Sequence, residues 1–199
     1  MASGRTGVRI LLSGGGFSLV ELLIAMALGL FMLTLLSNTF LLQSRTYSAQ
    51  EQETQMIQTT RAAMDMMARE LSMAGYDPAS AGFDGVDLNS AKLRIRADLN
   101  GDKDASDTNE TITYQFDTAN KRINRNTGSG DLPFADNVTA FTFEYLDVNG
   151  ATASSAAGIR EVKLTITART EKPDKNYPLN GGFRTQTLVC RVTPANLSL

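Results

Sequence analysis

The 199 residues suffice for one domain plus an anchor. A formal net charge of −2 lacks the basic excess of a general nucleic-acid binder. Histidine is absent, which removes Ser-His-Asp and Cys-His catalysis and the commonest transition-metal ligand, and the one cysteine, Cys190, has no partner for an internal disulfide.

Residues 1–16 carry Arg5 and Arg9, no acid, and end in Gly14-Gly15-Gly16. Phe17-Ser18-Leu19-Val20-Glu21-Leu22-Leu23 comes next and opens an apolar stretch that reaches Leu42 with Glu21 as its only ionisable side chain. As a helix, residues 17–42 extend roughly 39 Å against a hydrocarbon thickness of about 30 Å, so they can cross a membrane with some tilt. A carboxylate at the bilayer centre costs about 2.5–3.5 kcal/mol, so Glu21 calls for a function. An ordinary secretory signal places its small-x-small cleavage site after the apolar run. Here Gly16 precedes it, and residues 33–38 contain no Ala-x-Ala. A plain signal anchor accounts for the basic flank and the apolar run, but for neither Gly16 nor Glu21.

Beyond Leu42 the helical period continues. Ile57, Met64, Met67, Leu71 and Ala74 fall on one face, while Arg61, Asp65 and Arg69 lie four apart on another, where opposite signs support each other. Gly75 is a candidate C-cap. The expectation is one helix over residues 17–74, about 87 Å long, whose second half is amphipathic and packs on a sheet. The methionines Met56, Met64, Met66, Met67 and Met73 fit core packing at helical spacing better than an adaptable binding surface.

From residue 75 on, period-2 runs bounded by Asn, Asp, Gly and Pro predict strands. They are residues 92–97 (Leu93, Ile95), 111–116 (Ile112, Tyr114, Phe116), 121–125 after a turn at 117–120, 138–146 (Phe141, Phe143, Tyr145), 159–168 (Val162, Leu164, Ile166) and 183–192. No long helix separates them, so an antiparallel, meander-like sheet is expected. Residues 76–91, 147–158 and 170–182 read as loops. Cys190, in the strand-like run 187–192, reads as a buried, inert thiol.

Two segments of the head invite a chemical reading. Asp98, Asn100, Asp102, Asp104, Asp107 and Glu110 place oxygen side chains at close intervals, as a Ca²⁺ loop does. The match to an EF-hand loop is imperfect, because Lys103 stands at the sharp-turn glycine and Glu110 comes one residue late. The competing reading is a solvated turn, although five acids against one lysine exceed what a turn needs. Lys121, Arg122 and Arg125 form a small basic cluster, either a surface for a polyanion or a charged hairpin edge that deters aggregation. No phosphate loop, zinc-ligand set or catalytic dyad is visible.

Gly16-Phe17 followed by Ser-Leu-Val-Glu-Leu-Leu resembles the class III signal of type IV prepilins and of type II secretion pseudopilins. Residues 68–76, 132–138, 141–145 and 147–150 are similar to PilW-type minor pilins and the related J-type pseudopilins, which often carry a comparable Asp-x-Asn-Gly-Asp loop. The resemblance implies an α+β, pilin-like fold: a leader 1–16, a transmembrane and filament-core helix 17–42, its amphipathic continuation 43–74 and an antiparallel head 75–199. It implies cleavage by prepilin peptidase between Gly16 and Phe17, N-methylation of Phe17, and Glu21 as the assembly acid. The charges agree, because cleavage creates an amine on Phe17 one turn from Glu21, and pairing with that amine or a neighbouring subunit's offsets the cost of a buried carboxylate. Major pilins usually have proline at the position of Asn38, so its absence points to a minor subunit.

The function implied by this resemblance is that of a non-enzymatic minor pilin that primes or caps a type IV pilus near its tip. The alternatives are a J-type minor pseudopilin of type II secretion, or a tip adhesin or DNA-uptake pilin. The implied partners are other minor and major pilins through the N-terminal helix, prepilin peptidase and an inner-membrane assembly platform; nucleic acid is not expected. The implied location is the bacterial inner membrane as a single-pass precursor with the head outside the cytoplasm, then the pilus surface.

Overall fold

The computed structural model describes residues 16–198. The leader expectation therefore falls outside the described residues except for Gly16. The chain forms two compact units, Met1–Tyr47 and Ser48–Leu199. Helix α1, Leu19–Ser72, contributes to both.

In the first unit every described residue is exposed, including the large apolar side chains from Phe17 to Leu42. The hydroxyls within and just beyond the apolar run fold back onto their own helix: Thr34, Thr39 and Thr46 donate to the carbonyls of Leu30, Leu35 and Leu42 at 2.8–3.0 Å. These bonds keep polar atoms satisfied where lipid offers none.

In the second unit α1 buries Met56, Thr60, Ala63, Met64, Met67 and Leu71, a stripe at steps of three and four. Ile57, expected on this face, is only half-buried, and Met56 takes its place. Met66 and Met73 point outward, so core packing accounts for three of the five methionines. The helix ends at Ser72 because the next turn tightens: Met73 and Ala74 donate to Glu70 and Leu71 at 3.1 Å. Gly75 comes next with φ +77, as a C-terminal glycine should, but its N–H goes to the Arg96 carbonyl at 2.9 Å. Gly85 crosses Gly75 so closely that an added Cβ would lie 2.3 Å from the Gly75 nitrogen.

Seven strands complete the head: β1 Lys92–Arg96, β2 Thr111–Asp117, β3 Arg122–Asn126, β4 Leu132–Ala135, β5 Val138–Leu146, β6 Glu161–Arg169 and β7 Thr185–Val192. All pairings are antiparallel between sequence neighbours, as expected of a meander. The expected single sheet is instead two, β1-β2-β3-β4 and β5-β6-β7. The break falls at Asp136-Asn137. Asn137 takes φ +59, its carbonyl accepts from the Arg169 amide at 2.8 Å, and Val138 donates to the Lys121 carbonyl at 2.8 Å. Strand β4 escaped the period-2 reading because Pro133 interrupts it, and an edge strand is where a proline is tolerated.

Both sheets and the helix share one core. Leu93, Ile95, Tyr114 and Ile123 of the first sheet join Val162, Leu164 and Ile166 of the second, together with Met67, Leu71 and Ala74. Strand β6 alternates without a fault, and Phe141 and Tyr145 of β5 are buried as their spacing predicts. Cys190 departs from expectation: it is half-buried, because β7 is an edge strand paired on one side only.

The helix is also held by polar contacts. Glu70 is level with the apolar stripe, and its carboxylate accepts from Tyr114 Oη and from Arg125 Nη2 at 2.6 Å and Nε at 3.1 Å. Tyr114 and Arg125 face each other across β2 and β3. Burial, then the Glu70 carboxylate, pushes the Tyr114 phenol well above its ordinary pKa. Farther up the helix Glu53 pairs with Arg184 at 3.5 Å, and Gln52 Oε1 accepts from the Lys172 amide at 3.0 Å.

Candidate functional site

The N-terminal motif is laid out as a processing and assembly segment needs. Residues 16–18 precede the helix, and the Ser18 carbonyl accepts the first helical bond, from Leu22 at 3.0 Å. A Cβ built on Gly16 would meet nothing within 4 Å, and Phe17 is 86% exposed, so the Gly16–Phe17 peptide stands clear of the fold. Glu21 lies in the first turn of α1, where the amide dipoles favour a carboxylate, and its side chain is exposed. The arrangement presents an acid and a chain start on one turn of an uncovered apolar rod. Such a surface is stable only against lipid or other apolar helices.

The acidic loop is more divided than its sequence suggests. Asp98 is fully buried and serves the loop itself: Oδ1 accepts from Gly101 N at 2.6 Å and Oδ2 from Lys103 N at 3.2 Å. Asn100 spends both ends of its amide, donating to Asp102 and Asp107 and accepting from the Asp102 amide. Glu110, also buried, caps the amides of Leu99, Asn100 and Asp107. Of the expected ligands, Asp102, Asp104 and Glu110 bring carboxylate oxygens within 4.8 Å of one another. That spacing suits oxygens on opposite sides of one Ca²⁺ at about 2.3–2.6 Å each. Hydrogen bonds from the Ser106 amide and hydroxyl hold Asp104 below the usual carboxylate pKa, so it is ionised and able to bind. Lys103, at the position of the EF-hand glycine, takes φ +80. The loop thus makes the sharp turn of an EF-hand loop, with a residue that strains to do so.

The basic cluster does not form a free surface. Arg125 is committed to Glu70, and Arg122 lies 3.6 Å from Asp117, leaving Lys121 at a turn with φ +52.

Sequence reasoning missed the Glu70–Tyr114–Arg125 cluster. The signal was present: an acid three residues after Met67 and next to Leu71 sits at the border of the core face and needs a partner there. The partner could not be read locally, because Arg125 lies 55 residues away.

The profile of the PpdB family, prepilin peptidase-dependent protein B, matches residues 49–185. That span excludes Gly16 to Leu23, so the family match and the N-terminal motif are separate observations. Among solved structures, a type IV-like pilin from Thermus thermophilus is similar, at 15% identity over 71% of this chain and 97% of that one, with a TM-score of 0.43. No curated protein matches. With more than half of its length matched, the chain belongs to the prepilin peptidase-dependent protein B family, within the type IV pilin-like superfamily.

Proposed function

We propose that the chain is a minor pilin, a structural subunit that primes or caps a type IV pilus near its tip. The observation that carries this reading is the exposed Gly16–Phe17 junction one turn ahead of Glu21, on a helix whose apolar surface is uncovered up to Leu42. Prepilin peptidase cuts after Gly16 and Phe17 is methylated. The segment 17–42 anchors the precursor in the inner membrane, with the head outside the cytoplasm, until it is handed to the assembly platform.

In the filament the same apolar surface packs against other pilins. Glu21 then leaves lipid only if it meets a cation, and the amine of Phe17 on an adjoining subunit has the charge and the reach. A mispaired register buries the carboxylate alone, which is penalised by several kcal/mol. Ca²⁺ at Asp102, Asp104 and Glu110 belongs to this reading as a stabiliser of the head.

The test is Glu21→Ala. The variant should insert, be cleaved and accumulate in the membrane as the parent does. It should be missing from sheared filaments, or filament number should fall. Normal piliation at normal expression removes the charge-pairing argument.

A further inference from the structure

A cleft within the unit Ser48–Leu199 plays no part in the assembly reading. It has a volume of about 560 Å³ and is bordered by Gln55 on α1, by Phe134, Asp136 and Asn137 where the chain passes from one sheet to the other, and by Arg169 and Glu171 at the end of β6. Its wall is built without a ligand. The bonds from Arg169 N to the Asn137 carbonyl and from Val138 N to the Lys121 carbonyl, each 2.8 Å, hold the Asp136-Asn137 crossover in place.

Arg169 is the unusual member. Its guanidinium carbon lies 4.1 Å from the centre of the Phe183 ring, so stacking sets the plane of the fork. Its Nε is buried and, among the described residues, has no hydrogen-bond partner. Two carboxylates, Asp136 and Glu171, line the same cleft, and neither pairs with it. A buried donor left open beside available acids is expected to serve an oxygen from outside the chain.

The lining also defines that oxygen's owner. The cleft carries a guanidinium donor, two carboxylate acceptors and two amides that act as both, with one more negative charge than positive. An anion is opposed by the two acids, and a cation by the guanidinium. A neutral molecule with donors and acceptors on adjacent atoms satisfies all of them. Vicinal hydroxyls of a sugar ring have this property, since guanidinium, amide and carboxylate edges each span two of them. The half-buried Phe134 ring offers an apolar surface to the C–H face of such a ring. The volume lies within the roughly 300–1,000 Å³ of small-molecule sites. We infer that this cleft binds a neutral saccharide.

The experiment uses the full chain in a detergent without a sugar headgroup. Glucose, galactose, N-acetylglucosamine and lactose are titrated by saturation-transfer-difference NMR, with glucuronate as the acidic counterpart. At least one neutral sugar should give saturable signals from its ring protons, and glucuronate should bind more weakly at low salt. Gln55→Ala with Glu171→Ala, both at exposed positions, should weaken binding by about tenfold or more with the melting temperature unchanged. Arg169→Lys, which keeps the charge and loses the fork, should weaken it likewise. Absence of saturable signal at tens of millimolar, preference for glucuronate, or parental binding by these variants overturns the inference.

Discussion

Replacing Glu70 by alanine should be among the most damaging single changes to the head. Glu70 and Arg125 keep only 14% and 22% of their side-chain surface, and Tyr114 is fully buried. Without the carboxylate, Arg125 is an uncompensated buried cation and the Tyr114 hydroxyl an unmet donor. Breaking a buried pair costs about 3–5 kcal/mol, most of it the penalty of the orphaned charge. The double change Glu70→Leu with Arg125→Met removes both charges and keeps the volume, so it should cost less than the two single changes together, with a coupling of about 1–3 kcal/mol. The assay is urea unfolding of residues 45–199, which retain the whole unit Ser48–Leu199, with the slope against denaturant unchanged. If Glu70→Ala costs under about 1 kcal/mol, or the double-mutant cycle is additive, the cluster does not clamp the helix to the sheet.

The geometry sets three further outcomes. Gly85→Ala should destabilise the same fragment by at least about 2 kcal/mol, because the new methyl meets Gly75 backbone at 2.3 Å and 2.5 Å rather than a side chain that can swing away; a parental melting curve would refute this. Ca²⁺ should raise the melting temperature, adding about 2.7 kcal/mol at a hundredfold excess over the dissociation constant, and Asp102→Ala with Asp104→Ala should abolish the rise; identical curves in Ca²⁺ and EDTA leave the loop an acidic turn. Burial raises the phenol pKa of Tyr114 and of Tyr145, so the stability they contribute is complete below their unfolded value of about 10 and is lost as pH rises beyond it, at up to about 1.4 kcal/mol per pH unit for each; stability that stays flat from pH 9 to 11.5 would contradict the assignment.

Most of the secondary structure was legible because its signals are local. The stripe from Met64 to Ala74 and the alternation of Val162, Leu164 and Ile166 depend on spacing alone, and both are buried as read. The division into two sheets was not legible. It turns on Asn137 adopting a left-handed backbone and on hydrogen bonds to Lys121 and Arg169, which come from distant parts of the chain. Pro133 hid β4, since the rule that bars proline from strands does not hold at an edge. In the acidic loop the sequence showed which residues carry oxygen but not which of them the loop consumes: Asp98 and Glu110 look alike in the sequence, yet Asp98 is spent on backbone amides while Glu110 still reaches the carboxylates of Asp102 and Asp104. Arg125 read as part of a basic surface until Glu70, far along the chain, claimed it.

The central claim, that this chain is a processed filament subunit, rests on the Gly16–Phe17 junction. The most direct measurement is intact-mass and fragment mass spectrometry of the protein extracted from membranes of its host. The account predicts a chain that starts at Phe17 with one methyl group on its amine. A mature chain that keeps residues 1–16, or one that starts beyond Leu33, would contradict it.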